Sequence, residues 1–147
     1  EHGGVYIGPR AIIRPGAVLI GPCAIMEGST VIDRTLIKAF TAIGPHCKVA
    51  GELGGTIIQG YSNKAHDGHL GDSWLGEWVN LGAGTTNSNL LNTYGEVIAK
   101  AAPDAPNERT GQTFLGAIIG DHGKTAICTR LMTGCVPHAG GRFATTA

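Results

Sequence analysis

Aromatic residues make up only 5% of this chain and charged residues only 15%. The 11 basic and 11 acidic residues are scattered singly and cancel, so no basic patch marks a nucleic acid or a membrane surface as partner. No apolar run is long enough to span a bilayer, and the opening Glu1-His2-Gly3-Gly4 has neither the basic nor the apolar region of a signal peptide. The cytoplasm is the expected location. Cys23, Cys47, Cys128 and Cys135 form no CxxC pair and show no zinc spacing, so they are read as small hydrophobes, and no metal is expected. There is no Gly-x-Ser-x-Gly elbow and no Walker lysine. Gly82-Ala83-Gly84 opens like a dinucleotide fingerprint, but position 87 is Asn and no βαβ unit surrounds it.

What the chain does have is glycine, 24 residues, with 7 prolines. That composition disfavours helices and suits short strands joined by tight corners. Every sixth residue from Ile7 is aliphatic: Ile7, Ile13, Leu19, Ile25, Val31, Ile37, Ile43 and Val49. Four residues beyond each of the first seven stands a small side chain, namely Ala11, Ala17, Cys23, Ser29, Thr35, Thr41 and Cys47. Six is three times the strand period of two, so all the aliphatics face one side of their strands. No 3.6-residue helix accommodates this. Short strands meeting at corners do, with three hexapeptides to a triangular coil, the aliphatic inside and the small residue near the corner. Gly8-Pro9, Gly21-Pro22 and Gly44-Pro45 provide corner chemistry. The fold class is therefore all-β, a parallel β-helix.

At 147 residues the chain is read as a single β-helix domain, 1–147. The repeat breaks after Val49 and resumes at Leu70-Gly71, Leu75-Gly76, Leu81-Gly82, Ile119-Gly120 and Leu131. Residues 99–112, with two prolines and several polar residues, are expected to be an excursion loop. The tail 136–147 is expected to be irregular.

The densest polar stretch runs Asn63-Lys64-Ala65-His66-Asp67-Gly68-His69-Leu70-Gly71-Asp72-Ser73. Shortly after it come Val79-Asn80-Leu81-Gly82-Ala83-Gly84-Thr85 and Asn89. Here the sequence resembles the acetyltransferase domain of bifunctional sugar-1-phosphate nucleotidyltransferase/N-acetyltransferases, whose β-helix carries N-K-x-H, then L-G-D-S, then V-N-x-G-A-G-T. The resemblance covers about Ile7 to Cys135. It implies a left-handed coil assembled as a homotrimer, and acetyl transfer from acetyl-CoA, as co-substrate, to the amine of glucosamine 1-phosphate or galactosamine 1-phosphate. It also implies that this chain is the C-terminal part of a longer, two-domain protein.

On this resemblance His66 falls on the catalytic histidine. An amine must lose a proton to attack a thioester, and an imidazole titrating at about 6.5 can take it. Without the resemblance, the residues favour reading His66 as a surface histidine in a polar loop. The same match assigns Glu52, Lys64, His69 and Asn80 to the substrate, and Ala83 and Asn89 to the cofactor, the Asn89 amide lying where it could stabilise an oxyanion. The residues alone allow Asn80 and Asn89 another role, as corner residues in left-handed backbone angles.

Three positions depart from the family. His69 and Leu90 stand where it has tyrosines, and Gly95 stands where it has a lysine. Arg14 resembles a phosphate-binding arginine but lies far upstream, so the substrate phosphate has no assigned partner. These departures keep a second reading open, a non-catalytic trimerisation or regulatory β-helix of a sugar nucleotidyltransferase. A third is a γ-type carbonic anhydrase drawing zinc ligands from His46, His66, His69 and His122.

Overall fold

The computed structural model describes residues 3–102 and 104–143. These residues contain strands and no helix. The strands stack in parallel as a left-handed β-helix, and no helix in them is long and apolar enough to cross a membrane.

Three faces wrap the coil. The first is a six-stranded sheet of Val5–Ile7, Cys23–Ile25, Thr41–Ile43, Ile57–Ile58, Trp74–Leu75 and Ile118–Ile119. The second is seven-stranded: Ile12–Ile13, Thr30–Val31, Lys48–Val49, Asn63–Lys64, Asn80–Leu81, Lys124–Thr125 and Arg142–Phe143. The third contains Val18–Leu19, Leu36–Ile37, Glu52–Gly54 and His69–Gly71.

The six-residue repeat becomes stacked columns. Ile7, Ile25, Ile43, Ile58, Leu75 and Ile119 are in register along the first face, and all but the terminal Ile7 are buried. Each buried aliphatic stabilises the fold by roughly 1.5–3 kcal/mol, and stacking joins them into one core that no single coil could form. The small-residue column is buried too: Cys23, Ser29, Thr35, Thr41 and Cys47. Ser29 Oγ donates to Gly44 O at 2.6 Å and Thr35 Oγ1 to Ile32 O at 2.6 Å, so their hydroxyls satisfy corner carbonyls that the ladder leaves unpaired.

Four places differ from the expectation. The left-handed corner angles fall on Arg10, Arg34, Phe40, His46, Tyr61, Trp78, His122 and Cys128, among others, and not on Asn80 or Asn89; Asn80 lies in a strand. The chain leaves the coil after Thr86–Asn87 and regains it at Ile118–Ile119, a wider departure than 99–112. The departure has its own antiparallel pair, Ile98–Ala99 with Glu108–Arg109, and buries Val97. Within the expected irregular tail, Arg142–Phe143 pairs in parallel with Lys124–Thr125; residues 144–147 lie outside the described residues.

The fourth difference is in the columns themselves. Val31 and Ile37 are six residues apart in sequence, but Val49 and Leu53, which stack on them, are only four apart. With two residues lost at this corner and one more at the next, where Leu53 and Ile58 are five apart, the register shifts by three, and Lys64 arrives at the inward position above Val49.

Candidate functional site

The shortened corner leaves a notch along the edge between the second and third faces. A depression of about 510 Å³ there is lined by Asp33, Arg34, Ala50, His66, Ala83 and Cys128, among others. His66 and Asp67 form the exposed turn between Asn63–Lys64 and His69–Gly71. Of the residues expected to act, His66 and Ala83 thus share one groove. Asp33 and Arg34 line it as well; they lie more than thirty residues upstream of His66 and are brought close only by the coil, so no local pattern marks them.

Glu52, His69 and Asn89 come together on the outer surface of the third face. His69 stands directly over Glu52 in the parallel register, its Nδ1 3.5 Å from Glu52 Oε1. That oxygen also accepts from Lys38 Nζ at 2.5 Å. Lys38 and, to a lesser extent, His69 hold the Glu52 carboxyl below its usual range. Asn89 Nδ2 donates to Asp72 Oδ2 at 2.6 Å. The His69 imidazole and the Asn89 amide approach each other over Gly71, where a Cβ would lie 2.5 Å from His69 Nε2 and 2.8 Å from Asn89 Nδ2. Only a glycine leaves that space open.

The strand that carries His69 is held from above by an unusual device. Asn87 takes the inward position that aliphatics occupy below it and Leu131 above, and it is buried. Its Oδ1 accepts from Gly71 N at 2.8 Å and its Nδ2 donates to Gly71 O at 2.9 Å. The side chain thereby takes over ladder bonds from the backbone.

Asn80 is exposed on the second face, above Asn63, in a shallow polar depression with Lys48, Trp78 and Lys124. Beside it His46, Tyr61 and Trp78 stack along the corner, with ring centroids 5.4 and 4.7 Å apart. Within one chain Asn80 is therefore on a different face from Glu52, His69 and Asn89.

Lys64 corrects the expectation most directly. It is 2% exposed, and its Nζ donates to Ala50 O at 2.9 Å and His66 O at 2.8 Å. Burial pushes its pKa down to about 8, against a weaker opposing effect of Asp67. A side chain enclosed by the coil and committed to two carbonyls does not reach a substrate.

Among the described residues no group of three or more His, Cys, Asp and Glu is placed to hold a metal. His66 is on the second–third corner and His69 on the third face, while His46 and His122 carry left-handed corner angles elsewhere.

No protein-family model matches the chain. Curated relatives do. A protein of Trichodesmium erythraeum called bifunctional protein GlmU is 36% identical over 74 residues, 45% of this chain and 16% of its own length. Proteins of the same name from Rippkaea orientalis and Ruthia magnifica are 30% and 28% identical over 117 and 121 residues, 71% and 69% of this chain. The chain is a homologue of the bifunctional GlmU proteins. It spans about a quarter of the length of these two GlmU relatives, 26% and 27%, and the β-helix is the architecture it brings to that match.

Proposed function

We propose that this GlmU homologue is an acetyl-CoA-dependent N-acetyltransferase acting on an amino-sugar 1-phosphate in nucleotide-sugar biosynthesis, with His66 as general base. The observation that carries the reading is the placement of His66 on an exposed turn in a notch that Ala83 also lines, combined with the match to GlmU proteins.

In this reading His66 takes a proton from the sugar ammonium, and the freed amine attacks the thioester carbonyl. The C–N bond forms, the C–S bond breaks, and coenzyme A leaves as thiol. Neither a covalent nucleophile nor a metal is required; the site acts by positioning and by stabilising the oxyanion. Asn89 offers an amide N–H for that oxyanion, and the Ala83 backbone meets the cofactor. Glu52, His69 and Asn80 contact the sugar. Because Asn80 lies on another face from Glu52 and His69, a complete site draws on a neighbouring copy, as a homotrimer with acetyl-CoA between coils would provide. Arg34, which lines the notch with His66, is the cation available to the substrate phosphate there.

The test is release of free thiol from acetyl-CoA in the presence of glucosamine 1-phosphate or galactosamine 1-phosphate. Release that depends on one of these sugars supports the reading and names the sugar. A well-folded trimer that releases no thiol with either supports the non-catalytic alternative, which the replacement of the family's tyrosine by His69 favours.

A further inference from the structure

Lys64 is the one charged side chain in the buried set among the described residues, and it occupies a column otherwise built largely from aliphatics. Its neighbours in that column are Val49 below and then Val31 and Ile13. A lysine there forfeits its hydration, so its place in the corner calls for a reason.

The corner supplies one. At two other corners between the second face and the third, a threonine hydroxyl closes the turn: Thr35 Oγ1 bonds Ile32 O at 2.6 Å and Thr129 Oγ1 bonds Ala126 O at 2.8 Å. At the corresponding positions, two residues before Leu53 and Leu70, this chain has Gly51 and Gly68, both at positive φ, 87° and 128°. With no side chain at either, these two corners have no hydroxyl to close them, and glycine leaves the backbone loose. The Lys64 ammonium fills the vacated space. A Cβ at Gly51 would lie 3.1 Å from its Nζ. From there Nζ bonds one carbonyl from each of the two coils, Ala50 O and His66 O.

We propose that Lys64 is a positioning residue that clamps the His66 turn to the coil beneath it and so fixes where the His66 imidazole stands. The proposal rests on the reading of His66 as the base. Lys64 touches neither substrate nor acetyl-CoA; it acts through the His66 backbone. Two glycines and a buried lysine thus do together what one threonine does elsewhere, and the lysine reaches both coils where the corner is shortest.

The test is Lys64→Met, which keeps an unbranched apolar chain in the column and removes the donor, with Lys64→Leu, the residue type of Leu81, as a second variant. Three quantities are measured: the melting temperature, backbone ¹⁵N order parameters of residues 66–68 with residues 32–35 as internal reference, and steady-state kinetics. Removing the ammonium relieves its desolvation but leaves Ala50 O and His66 O without this donor, two effects of opposite sign and similar size, so both variants melt close to the wild type. The order parameters of residues 66–68 fall from about 0.85 towards 0.6 while those of 32–35 stay unchanged, and kcat drops roughly tenfold or more with the acetyl-CoA KM unaltered. Lys64→Gln, which retains an amide donor, recovers part of both.

Unchanged order in residues 66–68 overturns the proposal, as does a loosened turn with wild-type kcat. A loss of kcat that only follows a loss of melting temperature also overturns it. His66→Ala is measured alongside. If it is as active as the wild type, the reading of His66 as base has failed, and the order parameters alone still decide whether Lys64 holds the turn.

Discussion

His69 and Glu52 face each other across adjacent parallel strands, with Nδ1 of one 3.5 Å from Oε1 of the other, and the same carboxylate oxygen is bonded by Lys38. The His69 imidazole is thereby tied into a carboxylate–lysine pair. The pairing lowers the Glu52 pKa, so the unfolded chain binds a proton at a higher pH than the folded one. The stabilisation is present above the ordinary carboxylate range and is lost as pH falls through the lower, folded value. The side chains of His69 and Glu52 are 34% and 41% exposed, and solvent screening keeps the effect within about 1 kcal/mol. Glu52→Gln should therefore be slightly less stable than the wild type at pH 7, and the difference should shrink as the pH falls below the ordinary carboxylate range, as read by urea denaturation.

Lys64 carries the opposite sign. Its folded pKa, about 8, lies below that of an unfolded lysine, 10.5, because burial disfavours the ammonium. Below pH 8 both states are charged and the full penalty applies. Between those two values the unfolded chain holds the extra proton, so stability rises with pH. Two and a half pKa units correspond to about 3 kcal/mol. The wild type should gain on Lys64→Met by an amount of that order between pH 7.5 and 10.5, and a constant difference across that range would contradict the assignment of a buried ammonium.

Asn87 is expected to be costly to replace in spite of its aliphatic column. Asn87→Leu restores the hydrophobic pattern but leaves the Gly71 N–H, now bonded by Asn87 Oδ1, buried without a partner. The Gly71 carbonyl keeps its bond from Ser73 Oγ, so one donor is lost. The variant should be destabilised by about 2 kcal/mol, measured as a lowered denaturation midpoint with an unchanged slope.

Thiol reactivity should sort the cysteines by burial. Cys23 and Cys47 are 7% and 1% exposed, and burial pushes both thiols up. Cys128 is exposed. With an aromatic disulfide reagent at pH 8, a fast phase that disappears in Cys128→Ser is expected, with Cys23 and Cys47 titrating only after denaturation.

The architecture was legible in the sequence because a repeat of six is a strong, redundant signal: Ile25, Val31, Ile37, Ile43 and Val49 are all fully buried as the period requires. The signal failed where the count failed. Once two residues are missing between Val49 and Leu53, periodicity no longer tells which side chain points inward, and Lys64, exposed by composition alone, is in fact enclosed. Asn87 was hidden for the same reason, since a polar residue at an inward position is visible only when its hydrogen-bond partners are. The grouping of Glu52, His69 and Asn89 had a sequence signal in the family resemblance, whereas Asp33 and Arg34 beside His66 depend on the stacking of coils and had none.

His66 carries the proposed chemistry. The most direct measurement is the rate of thiol release from acetyl-CoA with the preferred amino-sugar 1-phosphate, compared between the wild type and His66→Ala in folded, matched preparations. Removal of a general base lowers such a rate by about 10² to 10⁴, and a loss of that size with an unchanged oligomeric state and melting temperature is the predicted result. Equal rates in the two proteins would contradict it and take His66 out of the mechanism.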